Sequence, residues 1–141
     1  MQMHIIKKEN QKNSIFIDHT RISYEIDQSI KINNWDFLIS YLPSGSFLVG
    51  GYIRDLILKR LNKTIDVDIV VPKNALEIGK KIAYKFKGKF IILDEVREVI
   101  RLIFKHITID IATQISPSID NDLLKRDFSI NAIAFSFDKK L

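Results

Sequence analysis

Residues 46–61 read SFLVGGYIRDLILKRL, a short apolar run that meets two adjacent glycines and continues as an amphipathic stretch. The apolar run has the length of a buried strand, and glycine lets the backbone turn at no steric cost. Over 52–61, Ile53, Leu56, Ile57 and Leu61 fall on one helical stripe. A strand that passes through a glycine turn into a helix offers free N–H groups at the helix start, and bare glycine backbone can lie close to an anion there. Gly50 and Gly51 are therefore candidate phosphate contacts, although many such turns hold nothing. Arg54 stands in the first turn, where the helix dipole does not favour a cation, and that placement points to use by a ligand. Asp55 fits ordinary helix design equally well.

The remaining pattern is that of one α+β domain with a mixed sheet and few helices. Residues 14–26 alternate and suggest a strand or hairpin, while 27–43 is mainly helical up to Pro43. TIDVDIVVP (64–72) is a β-branched strand, and 74–88 is the clearest helix, capped by Asn74 with Glu77 three residues on and ended by Gly88. Leu76, Gly79, Ala83 and Phe86 line one face of that helix. Residues 89–106 read as a hairpin turning near Asp94–Arg97, 107–114 as an alternating strand, 118–128 as a short helix and 130–137 as a closing strand.

Composition narrows the chemistry. With no cysteine there is neither a disulfide nor a thiolate metal site, and His4, His19 and His106 are too dispersed for zinc. No apolar run approaches the roughly 20 residues of a membrane helix, and the first residues lack a signal-peptide core, so the expected location is the cytoplasm with no membrane partner. The net charge of +5, from 22 basic and 17 acidic residues, favours a polyanionic partner or simply a solvated lysine-rich surface. No P-loop or dinucleotide glycine pattern is present.

The chemistry-bearing residues are acidic. Asp66 and Asp68, two apart in a strand, project from one face with Val70, and Val67, Ile69 and Val71 fill the other. Two neighbouring carboxylates read either as solvent-facing charges or as a divalent-cation site, because a cation relieves their repulsion. Asp110 shares a strand face with Thr108 and Ala112. If that strand pairs with 64–72, Asp110 lies about 5 Å from the first two and completes a Mg²⁺ site able to hold two ions; otherwise it is an edge charge. In KRDFSINA (125–132), Arg126 is suited to a bidentate phosphate contact with Asp127 orienting it, or the segment is an exposed helix with an Arg–Asp pair.

In order and spacing, GGYIRDLIL, DVDIV and KRDFSINA resemble the head domain of the tRNA nucleotidyltransferase/poly(A) polymerase family, the bacterial-type (class II) CCA-adding enzymes. The resemblance covers about residues 46–137 and implies a polymerase-β-like nucleotidyltransferase fold, a mixed sheet with flanking helices. It divides the chain into an N-terminal extension (1–45) and a head (46–141), with the family's neck, body and tail absent. By that resemblance Gly51 and Arg54 contact the triphosphate, Asp66 and Asp68 bind Mg²⁺, Arg126 contacts the incoming nucleotide, Asn131 lies within the matching motif, and Asp110 corresponds to the third carboxylate of the wider superfamily. Ile53, Lys125 and Ser129 replace the family's Val, Arg and Thr; Lys125 cannot form a planar fork. The neck motif that selects cytosine or adenine has no counterpart here, since LDEVREVIR precedes KRDFSINA.

The implied activity is template-independent transfer of CMP or AMP from CTP or ATP to the 3′ end of tRNA, with Mg²⁺ as cofactor and no DNA partner. Poly(A) polymerase, a split CC- or A-adding enzyme, and a head that binds nucleotide or RNA without efficient catalysis share these motifs. A small-molecule nucleotidyltransferase shares the glycine turn and the paired aspartates but not KRDFSINA.

Overall fold

The computed structural model describes residues 3–5, 19–61, 63–124 and 133–138. Strand β1 (Met3–Ile5) is followed by helix α1 (His19–Ile32), a 3-10 helix (Asp36–Tyr41), β2 (Phe47–Val49), α2 (Gly51–Ile57), β3 (Ile65–Val71) and α3 (Ala75–Phe86). Strands β4 (Lys89–Asp94), β5 (Val99–Ile103) and β6 (Ile107–Thr113), helix α4 (Ile119–Leu124) and β7 (Ile133–Ser136) complete it. The strands form one sheet in the order β1-β7-β2-β3-β6-β5-β4. Among the described strands, β3 and β6 run parallel and the other pairs are antiparallel, so the sheet is mixed, as expected.

Alternation decides the two faces. Val67, Ile69 and Val71 of β3, Ile107, Ile109 and Ile111 of β6, and Ile100 and Leu102 of β5 are buried in the main core with α1, α2 and α3. A smaller cluster of Val49, Val70, Ile119, Leu123 and Ala134 lies on the opposite face, where α4 covers one end of the sheet. The other end of that face carries Asp66 and Asp68, both exposed. Among the described residues, no helix is long and apolar enough to cross a membrane.

Local chemistry explains most element boundaries and corrects several expectations. From residue 19 onward, the predicted strand over 14–26 is instead α1, because Ile22, Ile26 and Ile30 recur at four-residue spacing and are buried together; residues 14–18 lie outside the described part. The single helical stretch expected over 27–43 is split, since Asn34 takes a left-handed conformation (φ 54°) before the 3-10 turn begins. Helix α2 stops at Ile57, and Leu61 is exposed and off the stripe. The hairpin near Asp94–Arg97 and the strands over 64–72 and 107–114 form as expected, and of the strand expected over 130–137 the described part, Ile133–Ser136, is β7.

Helix α3 buries Ala75, Gly79, Ile82 and Ala83. Asn74 occupies the position before it but makes no side-chain cap; its φ is 63°, and the Ala75 N–H donates to Thr113 Oγ1 at 3.1 Å. Glu77 pairs forward with Lys81 (2.9 Å) rather than back to the helix start. At the other end Lys87, not Gly88, takes the left-handed turn (φ 54°). Gly88 is small because a Cβ there would come within 2.5 Å of the Phe104 ring.

Gly79 sets how closely α3 approaches the sheet. A Cβ at this position would lie 2.6 Å from Ile100 Cδ1 and 3.2 Å from Phe90 Cε2, and Ile100 is fully buried. Gly79→Val is expected to lower unfolding free energy by about 1–3 kcal/mol, the usual penalty of overpacking. Urea denaturation checks this; undiminished stability would show that α3 can lift from the sheet at no cost.

Candidate functional site

The site is built on one line across the sheet. Parallel pairing of β3 with β6 sets Asp68 opposite Asp110, and antiparallel pairing of β6 with β5 sets Asp110 opposite Arg101. On the other side of β3, Asp68 stands opposite Val49, the residue before the glycine turn. Registered neighbours share a face, so Asp68, Asp110 and Arg101 project together, with Asp66 and Thr108 in the next row. Their strands are about 4.8 Å apart. A groove of about 380 Å³ opens over Asp66, Asp68, Arg101, Thr108 and Asp110.

The glycine turn abuts this line. Gly50 has φ 76° and ψ −133°, a backbone conformation open to glycine and strained for other residues. Its N–H donates to the Ile133 carbonyl at 3.1 Å, which ties the turn to β7. A Cβ on Gly50 would sit 3.8 Å from Asp68 Oδ2, so turn and carboxylate are in contact range. Gly51 has an ordinary helical φ, and its nearest foreign atom is the Arg54 guanidinium, 3.5 Å from where its Cβ would be. The two glycines thus differ: the fold demands Gly50, whereas Gly51 keeps backbone bare beside Arg54.

Arg54 and Asp55 form an ion pair, with Nε donating to Oδ1 at 2.8 Å and both about one-third exposed. This hydrogen bond, reinforced by the Asp55 charge, raises the guanidinium pKa above its ordinary value. Asp55, ambiguous in the sequence, therefore orients Arg54; because α2 is only seven residues long, Arg54 falls in its last turn and does not stand against the helix dipole as the sequence suggested. A cleft of about 180 Å³ is lined by Gly51, Arg54, Asp55, Asp66 and Asp68. Tyr52 fixes the helix from behind: its hydroxyl hydrogen-bonds Ser29 of α1, and its ring meets Trp35 edge-on at 5.6 Å.

Arg101 is the site residue that the sequence reading missed. Its Nε and Nη2 donate to the two oxygens of Asp110 at 2.7 and 2.9 Å. That bond, the charge of Asp110 and then the charges of Asp66 and Asp68 raise its pKa. The signal was a lone cation between Ile100 and Leu102 in a strand, on the face away from the core. The register brings Asp110 beside Asp68, as expected, with Asp66 in the next row, but Asp110 is bound to Arg101 and among the described residues no three of His, Cys, Asp and Glu stand as a metal-binding group. Asp66 and Asp68 remain a pair of hard oxygen donors on one strand face, which suits Mg²⁺, an ion commonly held by one or two carboxylates plus substrate phosphates. Arg126 and Asn131, with the rest of KRDFSINA, lie outside the described residues.

A family model described as the poly(A) polymerase head domain matches residues 46–141. A CC-adding tRNA nucleotidyltransferase from Synechocystis is 41% identical over 103 residues, covering 73% of this chain and 25% of that relative. The chain thus spans about a quarter of that relative's length. Among solved structures, a CCA-adding enzyme in complex with CTP has a TM-score of 0.67 and 31% identity, with 83% of this chain and 30% of that one covered. The Thermotoga maritima CCA-adding enzyme in complex with tRNA gives a TM-score of 0.67 and 32% identity, with 83% and 29% covered.

The unequal demands on the two glycines are measurable. Gly50→Ala is expected to cost about 1–3 kcal/mol of stability, because alanine must adopt a strained backbone. Gly51→Ala is expected to stay within about 0.5 kcal/mol of the parent or to stabilise, since its φ is helical and alanine favours helix. Equal urea midpoints for the two variants would contradict the assigned turn geometry.

Proposed function

The chain belongs to the family of poly(A) polymerase head domains, and from that premise we propose that it is the catalytic head of a template-independent RNA nucleotidyltransferase acting on the 3′ end of tRNA. The observation that carries this reading is the closeness of the glycine turn to Asp68, whose Oδ2 lies 3.8 Å from where a Cβ on Gly50 would stand, with Gly51, Arg54, Asp66 and Asp68 lining one cleft. A triphosphate seated there meets bare backbone and an arginine at one end and a divalent-ion site at the other.

In the proposed reaction the RNA 3′ hydroxyl oxygen attacks the α-phosphorus of CTP or ATP. A phosphodiester bond forms, the bond to the β-phosphate oxygen breaks, pyrophosphate leaves and the hydroxyl proton passes to solvent. Asp66 and Asp68 would hold Mg²⁺, which when bound neutralises the leaving pyrophosphate and acidifies the attacking hydroxyl. Gly50 and Gly51 let the phosphate chain approach the backbone, and Arg54, held in place by Asp55, supplies charge to it. Arg126 and Asn131 are assigned to the incoming nucleotide by their motif. Asp110 stands beside Asp68 as the third carboxylate of the reaction face.

The names of the curated relatives favour the CC-adding form, in which CTP is the working nucleotide. We assign residues 46–141 to the head and 1–45 to an extension whose α1 completes the head's core. A cytoplasmic location fits an RNA substrate.

Calorimetric titration with Mg·CTP and Mg·ATP tests the reading. The wild-type chain is expected to bind, and Asp66→Ala/Asp68→Ala is expected to lose binding while keeping its unfolding midpoint, because both side chains are exposed. Arg54→Ala should weaken the Kd about tenfold, the loss of one charged hydrogen bond. A folded wild type that binds neither nucleotide, or a double variant that binds both unchanged, would sink the assignment.

A further inference from the structure

Arg101 has no part in the reaction described above, yet it lies within the field of all three carboxylates. A cross-strand Arg–Asp pair is by itself ordinary, contributing about 0.2–1 kcal/mol to a sheet. This one differs in where it stands. It closes the Asp68–Asp110 row, uses both carboxylate oxygens, and leaves Arg101 41% and Asp110 22% exposed beside the open groove. A divalent ion reaching Asp110 would have to approach a guanidinium already bound to it. Among the described residues, the groove over Asp66, Asp68 and Asp110 is lined by one cation, Arg101, so while the Arg101–Asp110 pair stands the groove offers an ion the charge of two carboxylates.

We propose that Arg101 is a positioning residue that holds Asp110 out of the divalent-ion site, so that the ion rests on Asp66 and Asp68 while the Arg101–Asp110 pair stands. This inference rests on the reading of Asp66 and Asp68 as the ion-binding pair. Arg101→Gln removes the fixed cation and frees a third carboxylate, which strengthens ion binding. Arg101→Gln/Asp110→Asn removes both charges, keeps a neutral hydrogen-bonding pair, and restores the original balance.

The test is titration of the full 141-residue chain with Mn²⁺, following free ion by electron paramagnetic resonance, with folding of each variant checked by circular dichroism. Arg101→Gln is expected to bind Mn²⁺ about tenfold tighter or more, as one unit charge near a divalent ion implies. The double variant is expected to return to within about threefold of wild type. An unchanged Arg101→Gln affinity overturns the proposal, as does a tenfold or greater loss in the double variant, which would make Asp110 a ligand in the wild type. The double variant alone decides if Arg101→Gln does not fold. In all these outcomes Asp66→Ala/Asp68→Ala abolishes wild-type binding; if wild type binds no Mn²⁺, or binds it equally without those two aspartates, the ion-site reading itself fails and takes the proposal with it.

Discussion

The site depends on one pairing, the parallel register of β3 against β6. It places Asp68 beside Asp110 and, through β5, beside Arg101, while the alternate residues of the same strands build the core. A slip of one residue in β3 would turn Asp66 and Asp68 into the core and expose Val67 and Ile69, so burial of the apolar face enforces the position of the charged one. Function and stability are read from opposite faces of the same strands. The carboxylates need no binding energy of their own to stay in place, because the isoleucines and valines behind them supply it.

Electrostatic balance follows from that geometry. Like charges projected from adjacent strands repel, and the fold answers with arginines held in short hydrogen bonds. Arg101 grips Asp110 with its planar fork, and Arg54 is held by Asp55 at the glycine turn. Both pairs are partly exposed, so each contributes little to stability. Their consequence is positional. They fix two cations at opposite ends of the carboxylate group, one facing the cleft assigned to phosphate and the other facing the third carboxylate.

Much of this was legible in the sequence where a strong period met a short element. The Asp66–Val71 alternation and the Ile107–Thr113 alternation each fixed a face without knowledge of partners, and the Gly50–Gly51 turn announced itself between an apolar run and an amphipathic one. Residues 19–26 were misread because Ile22 and Ile26 also fit an alternating pattern; Ile30, in the stretch read as helical, reveals the four-residue spacing only when the window is extended across both. Asn74 and Gly88 carried the right helix limits for the wrong reasons, since neither tertiary contact, Thr113 to the Ala75 N–H or Phe104 against Gly88, is visible in local composition. Arg101 was hidden for the same reason: its meaning comes from register across three strands, which a single sequence does not state.

The upstream helix α1 shows how far the site's rigidity reaches beyond its motifs. Ser29 is buried and bonds the Tyr52 hydroxyl, and Trp35 packs edge-on against Tyr52 and Phe137. Tyr52 directly follows Gly51, so the segment before residue 46 clamps the first turn of α2 from the core side. From the other side the Gly50 N–H is held by Ile133 of β7. The glycine turn is thereby fixed on both flanks while its outer backbone stays bare. A ligand arriving there meets donors already in position, which spares it the entropy of ordering a loop. The helix that lies outside the recognisable motifs thus belongs, mechanically, to the glycine turn proposed as the phosphate cradle.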